Sequence, residues 1–378
     1  MTDVMIYVQH LLGIGHVRRT ALLVAALRAQ GVSVAVVSGG IPDPLIDFGT
    51  GHVIQLPPCR TADHGFSGLV DQHGVPVDAH WQDRRRVALL DAYASLFPKV
   101  LMIEMFPFGR RAFRFELLPL LERAGQDGVD RVCSVRDLLV RKDDIAKERW
   151  MRDIARQYFD TILVHGDPAL FDFGHSFPFA GDLADLITYT GYVAPDKADV
   201  AGFGGERDGV VVSAGGGAVG RDLIMAAMSA RTVSRRFAGY HWDIITGPHF
   251  PAHEFDILSQ QVGEANLSLH RFVPDFRDRL ARAALSVSQA GYNTLMDVLV
   301  TGVPAVMVPF DSGGESEQGE RAGIFARKKI ISVLAARELS GEKLANAMDQ
   351  VNLPGQIDLL LDGARVSAAK IATRLRGR

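Results

Sequence analysis

The fold is decided by the stretch SQAGYNTLMDVLVTGVPAVMVPFDSGGESEQGER, residues 288–321. It reads as a strand, a loop and a helix, followed by a second strand, loop and helix. The composition of residues 293–300 is helical. Gly302 stands where a helix commonly ends in a left-handed residue, and Pro304, two positions later, cannot continue the helix. A short helix therefore joins two buried strands.

This short helix carries a polar stripe. Thr294, Asp297 and Thr301 are spaced three and four residues apart, which places them on one helix face. The loop after the second strand, residues 311–318, has no bulky apolar residue. A carboxylate among hydroxyls, beside such a loop, suits a polar ligand.

At these residues the chain resembles the C-terminal domain of glycosyltransferase family 28. The family's motif positions are filled here by Ser288, Gly291, Asp297, Gly302, Pro304, residues 308–310 and Gln318. The family usually has Glu where this chain has Asp297, and often a second Gln where it has Glu317. The resemblance implies a GT-B type fold and transfer of a hexose from a nucleoside diphosphate sugar.

The length and composition of the chain limit the classes of protein to which it can belong. A chain of 378 residues with 47% hydrophobic content is long enough for about two domains with substantial cores. A net charge of −3 gives no support for a nucleic-acid partner. Two cysteines and no basic-then-apolar leader predict a cytoplasmic protein. No apolar run approaches the roughly 18 residues of a membrane helix, so membrane contact is expected only peripherally, at the inner face of the membrane.

The first loop lies between a strand at 4–9 and a helix at 17–30, with the next strand at 32–37. A nicotinamide site would need a third small residue three positions after Gly15 and an acid closing the second strand, and neither is present. The loop offers backbone groups, a helix N-terminus and basic side chains. We expect Gly13, Gly15 and Arg18 to contact the acceptor.

His16 is the candidate general base, because a neutral imidazole can take a proton from an attacking hydroxyl. The alternative is that His16 caps the helix or bonds a neighbouring loop. Glu104, at the end of a predicted strand, is the second candidate base. The run from Gly13 to Arg19 also resembles the UDP-sugar hydrolase of pseudaminic acid synthesis, which uses water as acceptor.

Two stretches of the first half leave alternatives open. Residues 57–83 are polar and loop-like, and the spacing of His64, His73 and His80 disfavours a zinc site, so no metal is expected. Residues 104–115 mix phenylalanines with charged groups. They could line an acceptor pocket or rest on an anionic lipid surface, or the phenylalanines could belong to the core.

The strand–loop–helix pattern restarts after a Gly-rich, mixed-charge segment at 194–208, which we interpret as a linker. A strand at 209–213 leads into a loop with Gly215, Gly216 and Gly217 before a helix. Backbone amides in such a loop can approach a diphosphate. NAD is disfavoured again, because the strand at 242–245 does not end in an acid. The alternative is a tight turn that allows close helix packing.

We therefore predict an α/β protein with two doubly wound, parallel-sheet (Rossmann-like) domains facing across a cleft. The domains are 1–193 for the acceptor and 209–362 for the donor, with a final helix at 363–378 packing back on the first domain. The resemblance assigns the nucleobase to Phe272 and Val273, and the ribose to Asp297. The remaining predicted donor contacts are Ser288, Gln289, Gly291 and Gln318.

The resemblance implies an inverting reaction with no cofactor and no metal, on a hydroxyl acceptor of unknown identity. The rivals are a nucleotide-sugar hydrolase or epimerase on the same fold, a dehydrogenase, and a non-catalytic sugar-nucleotide binding protein. Release of free sugar without acceptor would indicate the hydrolase.

Overall fold

The computed structural model describes residues 2–11, 15–43, 46–50, 52–62, 68–139, 144–196, 205–216, 220–262, 266–310, 317–352 and 358–377. Contacts divide the chain into two compact units. Unit 1 comprises Met1–Ala194 and Leu359–Arg378, and unit 2 comprises Pro195–Asp358.

Unit 1 is built on a parallel sheet. Its strands are β1 (Val4–Val8), β2 (Val34–Ser38), β3 (Val53–Gln55), β4 (Cys59–Thr61), β5 (Leu69–Asp71), β6 (Val100–Glu104), β7 (Asp130–Arg136), β8 (Thr161–His165) and β9 (Ile187–Tyr189). Its helices before the linker are α1 (Gly15–Ala29), α2 (Ala79–Leu96), α3 (Arg114–Gln126) and α4 (Ile145–Tyr158), with 3-10 turns at Arg111–Phe113, Phe173–His175 and Ala180–Leu183.

Among the described residues, seven of these strands pair in the order β3-β2-β1-β6-β7-β8-β9, while β4 and β5 form a separate antiparallel hairpin. β1, β2, β6 and β8 are buried at every position, as expected for a parallel sheet covered by helices on both faces. The polar stretch at 57–83 therefore contains a hairpin and the start of α2, where the sequence predicts a loop.

Unit 2 repeats the architecture. Its strands are β10 (Val210–Ser213), β11 (Trp242–Ile245), β12 (Leu267–His270), β13 (Leu285–Gln289), β14 (Ala305–Val308) and β15 (Ser332–Val333). Its helices are α5 (Arg221–Val233), α6 (Ala252–Gln261), α7 (Phe276–Arg282), α8 (Tyr292–Thr301), α9 (Glu317–Arg327) and α10 (Gly341–Asp349), with a 3-10 turn at Ala336–Glu338. In the part of the chain that is described, the order is β12-β11-β10-β13-β14-β15, all parallel.

The last helix, α11 (Gly363–Arg376), belongs to unit 1 and packs against α1. Its buried Ala368, Ile371 and Ala372 join the apolar cluster formed by α1 and one face of the sheet. The chain enters α11 beside Tyr192, whose N–H donates to Leu360 O over 2.7 Å and whose carbonyl accepts from Gly363 N–H over 2.9 Å.

The prediction of two parallel-sheet α/β domains is confirmed, and the left-handed Gly302 at the end of α8 has a φ of 63°. The cleft between them stays a prediction. The phenylalanines at 106, 108 and 113 are buried in the core of unit 1, which favours the core interpretation of that stretch. None of the helices in the described ranges has the length and apolar character to cross a membrane.

Candidate active site

Both sheets have the strand order of doubly wound folds. In these folds the first strands are added on one side of the starting strand and the later strands on its other side. In unit 1 this switch point lies between β1 and β6, and in unit 2 between β10 and β13. Ligands of such sheets bind outside the carboxyl ends of the strands at the switch point. We therefore expect the site of unit 1 among the residues that follow β1 and β6. We expect the site of unit 2 among the residues that follow β10 and β13.

In unit 1 the switch point brings together His16 and Glu104. Glu104 ends β6, and His16 lies in the first turn of α1. His16 Nδ1 is 2.8 Å from Glu104 Oε1. The side chain of Glu104 is 1% exposed and that of His16 is 18% exposed, so the carboxylate lies beneath the imidazole and the imidazole reaches the surface.

The electrostatics fix the protonation of this pair. Burial lowers the pKa of His16 to about 3; Glu104 opposes the shift, and Arg110 and Arg136 add to it. Burial alone would raise the pKa of Glu104, but its interactions with neighbouring groups, His16 and Arg19 foremost, lower that pKa to about 2. At neutral pH a neutral imidazole thus faces a carboxylate, which makes Nδ1–H the donor and leaves the Nε2 lone pair available as a base.

Glu104 is also paired with Arg19, which donates from its guanidinium to Oε1. Arg19 is 1% exposed, whereas its neighbour Arg18 is exposed. Arg19 lies one helical turn after His16, on the same face of α1, and Arg18 does not. Among the described residues, Glu104 Oε2 is buried without a hydrogen-bond partner.

A further cation, Arg110, stands close to this pair. Its Nε–H donates to Gln9 O, 2.8 Å away, and its backbone is left-handed with a φ of 58°. Burial lowers the pKa of Arg110, while Glu104 opposes the shift and Arg136 adds to it. Within the described part of the chain, Arg110 forms no ion pair. Arg110 and Arg136 therefore both act electrostatically on the His16–Glu104 pair.

A buried polar network supports the first loop. Arg85 and Glu116 are fully buried and paired, with Nε–H donating to Oε2 over 2.8 Å. Arg85 also donates to Gln9 Oε1 over 2.6 Å, and Tyr7 OH donates to Glu116 Oε1 over 2.6 Å. A β-carbon at Gly39 would collide with Arg85 and Gln9, which explains the glycine after β2.

His165 forms a second buried group at the end of β8. Its Nε2 is 2.8 Å from Ser134 Oγ and its Nδ1 is 2.9 Å from Thr190 Oγ1. Burial lowers the pKa of His165 to about 3, Arg19 adds to the shift, and Glu104 opposes it. His165 is fully buried and so packs beneath the strand ends, where it holds β7 and the segment after β9 together.

In unit 2 the glycines after β10 serve different purposes. Gly215 has a φ of 63°, and a β-carbon at Gly220 would collide with Ala214, so these two satisfy the turn and the packing of α5. A β-carbon at Gly216 would meet no described atom within 4 Å. Packing against the described residues therefore does not explain Gly216. Gly217 and, in unit 1, Gly13 lie outside the described residues.

The other strand of this switch point, β13, leads into α8. A β-carbon at Gly215 would lie 3.8 Å from Gln289 Oε1, so Gln289 is adjacent to the glycine loop. Gly291 caps α8, and a β-carbon there would meet no described atom within 4 Å. Ser288 is fully buried, and its Oγ lies 2.9 Å from Ser286 Oγ, a contact that stabilises the strand end.

The polar stripe of α8 is less exposed than its sequence suggests. Asp297 is 4% exposed, and Thr301 Oγ1 donates to the carbonyl of Asp297 over 2.8 Å. Gln318, in α9, accepts from Phe310 N–H over 3.2 Å and so connects α9 to the end of β14. The carboxylate on this stripe, Asp297, is therefore buried in unit 2.

The turn after β12 presents Phe272, which is 51% exposed, beside Val273, which is buried. The turn is fixed by ion pairs: Arg279 donates to Asp275 Oδ1 over 2.9 Å and to Asp243 Oδ2 over 3.0 Å. Asp243 is also 3.2 Å from His270 Nε2. An exposed aromatic ring on an anchored turn is suited to stacking on a planar ligand.

A family comparison matches this second unit. The model of the glycosyltransferase family 28 C-terminal domain aligns with residues 211–372. Residues 211–372 are therefore similar to the glycosyltransferase family 28 C-terminal domain. The family 28 match includes both Gly216 and Asp297, and it extends into α11.

A curated relative supports the family 28 assignment. The UDP-N-acetylglucosamine–N-acetylmuramyl-(pentapeptide) pyrophosphoryl-undecaprenol N-acetylglucosamine transferase of Thermotoga neapolitana is 24% identical over 217 residues, 57% of this chain. The chain spans 60% of the length of that relative. The names of the family and of this relative both indicate a glycosyltransferase.

Solved structures show the fold over the whole chain. The crystal structure of Acinetobacter baumannii MurG covers 100% of both chains at a TM-score of 0.58 and 13% identity. The spinosyn rhamnosyltransferase SpnG, solved with thymidine diphosphate, covers 100% of this chain and 96% of its own at a TM-score of 0.60 and 15% identity. Both similarities establish the GT-B fold.

The structure brings together residues that the sequence does not name as candidate site residues. Arg19, Arg110, Arg136 and His165 all lie around Glu104, and Arg85 supports Gln9 beneath the first loop. Helical spacing from His16 is a signal for Arg19. For Arg136 the sequence holds no comparable signal, because Arg136 reaches the site only through the pairing of β7 with β6, whereas Arg110 follows Glu104 in the segment after β6. No described set of three or more His, Cys, Asp or Glu side chains is arranged to hold a metal ion.

Proposed function

We propose that this chain is an inverting glycosyltransferase that moves a sugar from a nucleoside diphosphate sugar, of the UDP class, to a hydroxyl acceptor. The observation that carries the proposal is the neutral His16 held 2.8 Å from the buried Glu104 at the switch point of unit 1. The relative's name supports a UDP-sugar donor and an acceptor that is a lipid-linked or cell-envelope glycan precursor.

In this mechanism His16 is the general base. Its Nε2 takes the proton of the acceptor hydroxyl while that oxygen bonds to the anomeric carbon and the bond to the diphosphate oxygen breaks, so that the configuration inverts. Glu104 accepts from Nδ1–H and stabilises the imidazolium that forms. A positioned base of this kind contributes about 10²–10⁴-fold to the rate.

The diphosphate would leave at the switch point of unit 2. Gly216 allows the backbone to approach the leaving group, and α5 begins directly after that loop, with the partial positive charge of its N-terminus. This arrangement stabilises a departing anion, so we propose a reaction without a required metal. Phe272 and Val273 would contact the base, and Asp297 the ribose.

Arg110 has a use in the same proposal. The relative's acceptor carries a pyrophosphoryl group. A comparable anionic group on the acceptor of this chain would pair with Arg110. It would also offset one of the positive charges that lower the pKa of His16, so that the base becomes stronger when the acceptor binds. With a lipid-linked acceptor the protein would work in the cytoplasm, peripherally at the inner face of the membrane.

The test is an assay of nucleotide release and sugar transfer with purified protein, UDP-N-acetylglucosamine and extracted bacterial lipids, with and without EDTA. We expect acceptor-dependent UDP release that EDTA leaves unchanged and that His16→Gln lowers at least about 100-fold. Free sugar formed equally without lipid would indicate a hydrolase, and an altered sugar stereocentre an epimerase. Full turnover by His16→Gln would refute the role of His16.

Donor class is tested separately by calorimetric titration with UDP, GDP, dTDP and NAD. We expect selective binding of UDP, and weaker binding by Asp297→Asn with the exposed Asp278→Asn as the matched control. Binding of UDP without turnover in any acceptor mixture would favour a non-catalytic binding protein. Binding of NAD alone would refute the proposal.

A further inference from the structure

A groove in unit 1 lies away from the candidate active site. It has a volume of about 480 Å³ and is lined by α11 and by the sheet face beneath it. Its sheet residues include Val132, the third residue of β7, and Thr161 and Leu163, the first and third residues of β8. These positions lie toward the amino ends of the strands, whereas His16 and Glu104 lie at the carboxyl ends. The groove is therefore a separate site.

The floor of the groove is apolar, with Val132, Leu163 and Val366 among its lining residues. Within the described residues, the helices that pack on this sheet face are α1 and α11. The groove runs along α11. Its volume is in the range of small-molecule sites, which are mostly apolar with a few polar groups.

The charged groups that line the groove are all cationic: Arg365, Lys370 and Arg374. These three side chains differ in whether a carboxylate pairs with them. Arg374 donates to both carboxylate oxygens of Asp130 at 2.9 Å, and it also donates to Thr161. Arg365 pairs with Asp362 on the surface, where such a pair is weak.

Lys370 is exposed and forms no ion pair with a described residue. A lysine at such a position can lay its aliphatic stem on apolar surface while its ammonium group stays in water. A positive rim above an apolar floor is complementary to a ligand that has one anionic head and one apolar chain.

We propose that this groove binds a single-chain anionic amphiphile, with the chain along Val132 and Leu163 and the head at Lys370 and Arg365. The inference is independent of the proposed function, because the groove shares no residue with the candidate active site. A carboxylate head and a phosphate monoester head would both pair with these cations. The experiment distinguishes the two by testing a ligand of each kind.

The experiment titrates the full chain with fluorescent 11-(dansylamino)undecanoate, its neutral methyl ester, and dodecyl phosphate as competitor. We expect saturable binding of the acid, displacement by dodecyl phosphate if both heads are accepted, and at least about tenfold weaker binding of the ester. Ala369→Trp should abolish binding by filling the groove, since Ala369 is an exposed lining residue. The double variant Arg365→Glu with Lys370→Glu should weaken binding about tenfold, and the control Lys328→Glu should not.

Two outcomes would overturn the proposal. Equal affinity for the acid and the ester would mean that the cations do not recognise the head. Unchanged binding by Ala369→Trp would mean that the chain does not enter the groove. A third outcome is tested by pelleting the protein with phosphatidylglycerol vesicles. If the charge variants abolish vesicle binding and Ala369→Trp does not change it, the cations bind a lipid surface and not a ligand in the groove.

Discussion

His16 Nδ1 lies 2.8 Å from Glu104 Oε1, although 88 residues separate them in the chain. The contact joins the first turn of α1 to the end of β6, so it exists only because β1 and β6 are neighbours in the sheet. The sequence offers these residues as two rival bases. The geometry gives them complementary tasks instead, because Glu104 is buried and His16 lies between it and the surface.

Glu104→Gln should lower kcat about 10²–10³-fold while UDP affinity stays unchanged. The neutral amide cannot stabilise the imidazolium as a carboxylate does. It also breaks the buried ion pair with Arg19, which should lower the free energy of unfolding by about 3–5 kcal/mol. The measurements are steady-state kinetics, calorimetric titration with UDP and chemical denaturation.

Glu122→Gln, an exposed change on α3, is the control for this prediction. Because reduced stability alone could reduce activity, kcat is measured at a temperature at which circular dichroism shows the variant to be folded. A folded Glu104→Gln with normal kcat would show that His16 needs no carboxylate.

Arg110→Asn should weaken binding of inorganic pyrophosphate about tenfold, because it removes a cation that has no carboxylate partner among the described residues. Asn tolerates the left-handed backbone of this position, so the melting temperature should change little. The variant should also raise the pKa of His16, since Arg110 is one of the charges that lower it. Isothermal titration calorimetry and histidine NMR titration measure the two effects.

Arg18→Asn is the informative comparison, because the sequence predicts Arg18 as the acceptor contact and the structure leaves it exposed. A larger loss of pyrophosphate binding in Arg18→Asn than in Arg110→Asn would restore the sequence-based prediction.

Stability should fall as the pH falls below about 6.5, in part because of His165. Its pKa is about 3 in the folded protein and 6.5 in an unfolded chain, so between these values the unfolded state binds more protons. The free energy of unfolding then rises with pH up to about 6.5 and levels off above it. His165→Asn should reduce this slope by up to about 1.4 kcal/mol per pH unit. Urea denaturation from pH 4 to 8 measures the slope, and an unchanged slope would contradict the assignment.

The sequence predicts local structure well where one short segment contains its own signals. The sequence predicts a helix at 293–300 between β13 and β14; the structure has this helix at Tyr292–Thr301, and Gly302 ends it in the left-handed conformation. A site built from residues of different strands cannot be predicted from one short segment. Glu104 ends β6 and Arg110 lies in the segment after it, but Arg136 ends β7, so the proximity of Arg136 to the other two depends on strand order. Burial is similarly non-local: the stripe of Thr294, Asp297 and Thr301 reads as solvent-facing, yet Asp297 is buried by its neighbours.

Phe272→Ala should weaken UDP binding about 5- to 20-fold, the loss expected for one aromatic ring that stacks on a base. The side chain is 51% exposed, so its removal should leave the free energy of unfolding within about 0.5 kcal/mol of the parent protein. Ile257→Ala is the matched control, since Ile257 is 54% exposed on α6 of the same unit. Calorimetric titration with UDP and with ribose 5-phosphate measures the effect. The loss of affinity should appear for UDP and not for ribose 5-phosphate, which has no base. An equal loss of affinity for both ligands would mean that the ring contacts the sugar or phosphate and not the base.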